Sequence, residues 1–192
     1  SNYIAVWHVY YNSSTTKYPE SARNAYNGTP KTGGTEPAQV SSAKVYEGAD
    51  FDGTDDTLGC TDINVVDGLT AITVEAWSKW EGTASNMGGA KNVSRKAQTY
   101  AFGGGWDAAP QNLARFWIRS GVTWYNSGDG TTDIANGSYH YVAGTYDQTE
   151  DSIEIYVNGT RENGTLSADR TLASDIYAVH IGSNNGTAEL VF

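Results

Sequence analysis

The sequence holds a single cysteine, Cys60, and no apolar run longer than a few residues. Basic charge is also scarce: 12 Lys+Arg stand against 22 Asp+Glu, a net charge of −10, and charged residues are only 18% of the chain. Each shortage excludes something. One thiol cannot form an internal disulfide, so cysteine is silent about compartment and Cys60 reads as a small buried hydrophobe. Runs that short do not cross a membrane as helices. An acidic surface without a Lys/Arg stripe repels phosphates, which removes nucleic acid as a partner. Cations and neutral glycans are the small partners that remain. Helical periodicity is nearly absent as well.

What is present is aromatic and glycine-rich. Hydrophobic residues make up 39% of 192 and aromatics 12%, with 13 Tyr and 6 Trp, enough for a real core and unlike a disordered chain. The length suits one domain, residues 1–192. Short β-branched and aromatic runs recur: Tyr3–Tyr10, Ala49–Phe51, Ile72–Lys79, Tyr100–Gly103, Ala114–Arg119, Tyr139–Tyr146, Ile153–Val157 and Tyr177–Ile181. Asp-Gly and Asn-Gly pairs punctuate them at Asp52, Asp67, Asp129, Asn136, Asn158 and Asn163. A long polar loop fills the interval from Tyr10 to about Val45. No repeat, low-complexity tract or linker interrupts the series. Many short strands with such turns predict an all-β, two-sheet antiparallel sandwich or jelly roll.

Alternation assigns faces. Ile72, Val74 and Ala76 oppose Thr73, Glu75 and Trp77; Ala114, Phe116 and Ile118 oppose Arg115, Trp117 and Arg119; Ile153, Ile155 and Val157 oppose Glu154 and Tyr156. The apolar sets form the core, and the opposite sets are expected together on one outer face of Trp, Tyr and Arg.

Asn-x-Ser/Thr sequons occur at Asn12, Asn27, Asn92, Asn136, Asn158, Asn163 and Asn185, seven where 14 Asn and 37 Ser+Thr predict about 2.7 by chance. The excess points to a glycosylated, secreted or cell-surface protein. Five of the seven are Asn-Gly, which hairpin turns favour for their positive φ, so turns explain them as well as glycans do. No signal peptide is visible, and the chain begins at Ser1, as a processed fragment would.

Several segments follow one another in a familiar order: Ala5-Val-Trp-His8, Glu20-Ser-Ala-Arg-Asn-Ala-Tyr-Asn-Gly-Thr29, Ala49-Asp-Phe-Asp-Gly-Thr-Asp-Asp56, Leu69–Trp77, Tyr139–Asp147, Ile155-Tyr-Val-Asn-Gly159 and Val179-His-Ile-Gly182. Together they resemble the laminin-G-like, concanavalin A-like lectin/glucanase superfamily over nearly the whole chain. The resemblance implies its jelly-roll fold. Three departures stand out. Glu20 replaces the family's loop Asp, Gly59-Cys60 interrupts the strand after Phe51-Asp-Gly, and the family's closing Phe-x-Gly-x-Ile-Asp-Glu strand has no counterpart before Phe192. A missing closing strand is expected to leave an open sheet edge, which proteins normally cover.

The chemistry expected on this fold is binding. A glycoside hydrolase needs paired carboxylates flanking the bond, and the Glu-x-Asp-x-x-Glu spacing of the glucanase relatives does not occur; Glu75 is followed two residues on by Trp77, and Glu154 by Tyr156. His8, His140 and His180 have no Ser or Cys nucleophile motif beside them. No enzyme is expected. Asp52, with Asp50, Asp55 and Asp56, is the candidate ligand set for a structural Ca2+, which takes carboxylate and carbonyl oxygens; the same residues also suit a plain turn. Trp77, Arg115, Trp117, Arg119 and Tyr156 are the candidate glycan-binding residues, with Trp106, Trp124 and Tyr125 as loop candidates; the same aromatics would equally serve to pack beneath the long loop.

Two functions follow. One is a non-catalytic extracellular or cell-surface recognition module binding a glycan or another surface component. The other is a self-assembling subunit of an extracellular filament or surface layer, whose open edge a neighbouring copy fills by donor-strand complementation, with Ser1–Tyr10 as donor.

Overall fold

The structure, a computed structural model, describes residues 3–12, 14, 18–23, 25–30, 36–52, 56–80, 91–104, 112–166 and 170–182. In chain order the strands are β1 (Thr29–Pro30), β2 (Ala38–Val40), β3 (Gly48–Asp50), β4 (Leu58–Cys60), β5 (Ala71–Lys79), β6 (Lys91–Lys96), β7 (Tyr100–Gly104), β8 (Ala114–Ser120), β9 (Thr123–Asn126), β10 (Tyr139–Asp147), β11 (Ser152–Val157), β12 (Thr160–Leu166) and β13 (Val179–Ile181). One 3-10 turn, Asn64–Val66, precedes β5. Seven strands form one antiparallel sheet in the order β1-β4-β13-β6-β7-β8-β9, and four form the other, β12-β11-β10-β5; β2 and β3 make a separate ribbon. This is the all-β, two-sheet antiparallel sandwich that the strand pattern predicts.

Alternating side chains decide the layers. β8 buries Ala114, Phe116 and Ile118 from one sheet, and β11 buries Ile153, Ile155 and Val157 from the other. Burying each of the large ones contributes roughly 1.5–3 kcal/mol. Phe116 meets Phe102 edge-on, with ring centroids 6.3 Å apart. It lies under Gly144 of β10, where a Cβ would collide with the ring; a glycine in mid-strand therefore marks a close approach between the sheets. A second cluster gathers Tyr18, Phe51, Leu58, Ile63, Val179 and Ile181, with Trp7, Val9 and Tyr11 packed against it. Cys60 is buried there as a hydrophobe, and burial pushes its thiol up.

Four local expectations change. Tyr3–Tyr10 is not a strand: it makes one isolated bridge, Trp7 to Glu20, and Val9 takes φ 49°. The cause is Glu20, whose fully buried carboxylate accepts the amides of Val6, Ala22 and Arg23 and so spends the Val6 donor on a turn. Leu58–Cys60 is a paired strand rather than an interruption, because Gly59 falls at an outward position between Thr29 and His180. Asn163-Gly164 lies inside β12, opposite Ile155 and Glu154, instead of forming a turn. Tyr177 and Ala178 precede β13 rather than starting it. Among the described residues β5 is paired along one edge, by β10; Thr187–Phe192, the end of the chain, lies outside the described residues.

Candidate functional site

The outer face of the four-stranded sheet is built in rows by the antiparallel register. Trp77 of β5 sits opposite Tyr141 of β10; the next row runs Glu75, Ala143, Tyr156 and Arg161, and the next Thr73, Thr145, Glu154 and Gly164. Small residues at Ala143 and Gly164 leave a trough between larger neighbours. Trp77 is 44% exposed, with the Tyr141 ring 5.4 Å away and inclined at 53°. Lys44, from the ribbon's connecting turn, brings its ammonium over the indole, 5.0 Å from its centroid, so the long loop touches the Trp77 ring itself.

Polar groups beside the platform are held in place by one another. Tyr141 donates its hydroxyl to Glu75, and Tyr156 donates to Glu154 at 2.5 Å. Partial burial and the Glu75 acceptor push the Tyr141 phenol up to about 12; the Glu154 acceptor, with burial behind it, raises that of Tyr156. Both phenols are therefore neutral donors. Arg161 Nε donates to the other Glu154 oxygen at 2.6 Å. A shallow depression of about 510 Å³ is lined by Glu150, Ser152, Glu154, Arg161, Gly164 and Thr165. A second, of about 420 Å³, shares Glu150, Ser152 and Glu154 and extends to Thr73 and Thr145. The face thus carries an aromatic platform at the Trp77–Tyr141 row and, two rows away, shallow depressions lined by Glu154 and threonine hydroxyls.

The structure divides the aromatic and arginine residues expected to lie together. Trp77 and Tyr156 stand on this face, whereas Arg115, Trp117 and Arg119 project from β8 on the far side of the seven-stranded sheet. Alternation holds strand by strand, but it does not say which sheet a strand joins. Trp124 lies on that second face opposite Arg119, while Tyr125, opposite the buried Ile118, packs against the core and carries Arg170 stacked 3.7 Å above its ring. Trp106 lies outside the described residues.

Three of the four acidic-turn residues lie among the described ones. Asp50 ends β3 exposed, Asp52 is exposed, and the buried Asp56 accepts the Asp52 amide at 2.9 Å; Asp55 lies outside the described residues. Among the described residues no three His, Cys, Asp or Glu side chains are grouped to hold a metal. Asp56 orders the turn through the Asp52 amide, and the calcium expectation, which also draws on Asp55, extends beyond the described residues.

The sequons divide as well. Asn92 is fully buried in β6 and is no glycan acceptor in the folded chain. Asn158, at φ 52° with Gly159 at φ 83°, is the two-residue turn between β11 and β12. Asn136 and Asn158 also clamp the buried His140 from its two ring nitrogens, at 3.1 Å each. Asn163 donates to the Asp129 carbonyl at 2.7 Å, and Asn27 accepts the Glu20 amide at 2.9 Å. Asn12 accepts from Ser14, and Asn185 lies outside the described residues.

Three anchoring residues escape the sequence pattern. Lys96, in β6, is wholly buried and places its ammonium 2.6 Å from Asp175 and 2.9 Å from both Asp62 and Asp67. Its ladder position faces inward, where alternation predicts an apolar side chain; no local signal marks a salt-bridged lysine there. Glu162 accepts the amides of Thr131 and Thr132 at 2.7 and 3.0 Å and ties the loop after β9 to β12. Glu20, noted as a departure, does the work of a short acidic turn-former through its longer arm.

Two antiparallel sheets packed face to face in this strand order define a lectin-like jelly-roll sandwich. The chain belongs to the concanavalin A-like lectin/glucanases superfamily, whose family profile matches residues 52–191. No curated protein sequence matches it. Among solved structures it is similar to the binding domain of Paraclostridial mosquitocidal protein 1, at 11% identity over 96% of this chain and 46% of that one, with a TM-score of 0.70. It is similar to domain 4 of AbnA, a GH43 extracellular arabinanase from Geobacillus stearothermophilus solved with arabinotriose, at 18% identity over 94% of this chain and 84% of that one, TM-score 0.63. The binding domain of botulinum neurotoxin DC, in complex with SialylT, matches at 14% identity over 94% and 44%, TM-score 0.59. The chain spans about half the length of the toxin binding domains. At these identities the likeness shows the fold.

Proposed function

We propose that this chain is a non-catalytic carbohydrate-binding module that takes neutral glycan on the outer face of the four-stranded sheet. The observation that carries the reading is the exposed Trp77–Tyr141 platform set beside the ordered Glu75 and Glu154 carboxylates. Sugar rings present C–H faces that stack on aromatics, and their hydroxyls donate to carboxylates and exchange hydrogen bonds with threonine. Glu75 and Glu154 each already hold a tyrosine hydroxyl, an arrangement that positions acceptors rather than delivers protons. Two structural neighbours were solved with glycan-named ligands, arabinotriose and SialylT, and one belongs to an extracellular enzyme; both facts support a secreted or surface setting and a sugar partner.

Isothermal titration calorimetry with arabinotriose and a panel of neutral oligosaccharides tests this. Binding is expected, weakened about tenfold or more in Trp77→Ala, which corresponds to ~1.4 kcal/mol for a lost stacking platform, with an unchanged thermal midpoint. Affinity for none of them, or affinity indifferent to Trp77→Ala, would sink the reading.

A second reading, a subunit that accepts a strand from a neighbouring copy, has one observation in its favour: the nine residues of β5 are paired on one side only among the described residues. Light scattering across a concentration series separates it, since a strand acceptor grows with concentration and an independent module stays at one size.

A further inference from the structure

The outer face of the seven-stranded sheet has a different electrical character. Its outward ladder positions are Thr29, Gly59, His180 and Arg95, then Ala101 and Gly103, then Arg115, Trp117 and Arg119, and last Trp124 and Asn126. Every charged side chain described at those positions is an arginine, on a chain whose net charge is −10. The four-stranded sheet shows Glu75, Asp147 and Glu154 against Lys79 and Arg161 at the corresponding positions. The two faces therefore differ: the four-stranded one is mixed in charge, and the seven-stranded one presents arginines.

The indoles fix the guanidiniums. Arg95 and Arg119 lie 5.7 and 6.0 Å from the Trp124 ring centroid, and Arg115 lies 5.4 Å from that of Trp117. Stacking of this kind contributes about 0.5–2 kcal/mol each and turns a flexible cation into a fork of set direction. Arg115 already holds Asp129. Arg119 does not share that carboxylate, and its Nε is shielded from solvent with no hydrogen-bond partner among the described residues. The terminal nitrogens of the stacked guanidinium are the donors an incoming acceptor would meet. Arg115 and Arg119 stand about 13 Å apart along β8, a spacing that suits charges repeated along a chain rather than one small anion.

We infer that this face is a second binding site, for a polysaccharide carrying carboxylates of the uronate type, with the Arg119 guanidinium as its principal anchor. The inference rests on the carbohydrate-binding reading and adds an acidic substrate class at a separate face. Nucleic acid is the competing polyanion, with phosphates in place of carboxylates, and single-stranded DNA is the control that separates the two.

The test is binding to polygalacturonate, its fully methyl-esterified and so neutral form, and single-stranded DNA. Wild type is expected to bind polygalacturonate with an affinity that falls as salt rises. Arg119→Gln is expected to weaken it about tenfold or more, with Arg119→Lys, which keeps charge and fold but not the fork, lying between. Trp77→Ala is expected to leave it unchanged. The inference is overturned if Arg119→Gln and Arg95→Gln bind polygalacturonate as wild type does, if the loss follows Trp77→Ala instead, or if single-stranded DNA binds equally well. Neutral oligosaccharides bound without polygalacturonate overturn this inference alone; no glycan bound at all overturns the carbohydrate reading with it.

Discussion

Lys96 is a wholly buried ammonium set among three carboxylates. Its ammonium joins Asp62 and Asp67, which flank the 3-10 turn, to Asp175, which also takes the Gln98 and Tyr177 amides at 2.6 and 2.8 Å. Burial alone would lower the Lys96 pKa and raise that of Asp175; their mutual attraction and the amide donors win, so Lys96 is raised and Asp175 lowered. Removing one partner leaves carboxylates uncompensated, so Lys96→Met is expected to cost about 3–5 kcal/mol, read from urea unfolding midpoints. Glu20 and Glu162 behave like Asp175: burial raises them, and the backbone amides, with the Thr132 hydroxyl for Glu162, bring the net shift below the ordinary 4.5. A carboxylate lowered by folding stabilises the protein above its unfolded value and stops doing so as pH falls through its folded value. Unfolding midpoints are therefore expected to drop as pH goes below about 4.5. A midpoint flat down to pH 3 would contradict these three anchors. Lys96 has the opposite sign, its contribution complete below 10.5 and lost as pH rises past its raised folded value.

Elements were legible where period 2 is strong. β5, β8 and β11 alternate cleanly, and their positions and buried faces follow from that alone; β10 is legible as a strand from its β-branched and aromatic residues, but Val142, Ala143 and Gly144 are buried in succession and period 2 does not assign its face. β1, β2 and β4 are two or three residues long and exist because a neighbour recruits them; β6 reads Lys-Asn-Val-Ser-Arg-Lys and hides a lysine inward, so its pattern says surface loop. Alternation also cannot assign a strand to a sheet, which is why Trp77 and Trp117 were expected together. Two element-scale tests follow. Gly144→Ala in β10 puts a methyl into the Phe116 ring and is expected to cost about 1–3 kcal/mol of stability. Asn158→Gly in the β11–β12 turn keeps the positive φ but removes the amide that holds the buried His140, and is expected to cost about 1–3 kcal/mol, whereas Asn158→Val adds a β-branched residue at positive φ and is expected to cost about 1–2 kcal/mol more; thermal unfolding of the pair separates them.

At the scale of the molecule, the acidic surplus seen in the composition is unevenly spread. The four-stranded sheet shows carboxylates beside an aromatic platform, and the seven-stranded sheet shows arginines stacked on indoles. Two consequences can be told apart by salt. Neutral sugar on the Trp77 face relies on stacking and short hydrogen bonds, so its affinity is expected to change less than about twofold between 50 and 500 mM NaCl, checked by calorimetry. Binding to the arginine face is expected to weaken steadily over the same range. The most direct test of the central claim is an amide and indole NMR titration with the best-binding neutral oligosaccharide. Shifts confined to Trp77, Tyr141, Glu75 and their row neighbours on β5, β10 and β11 are the predicted result. Shifts centred on the seven-stranded sheet, or none at saturating sugar, would contradict it.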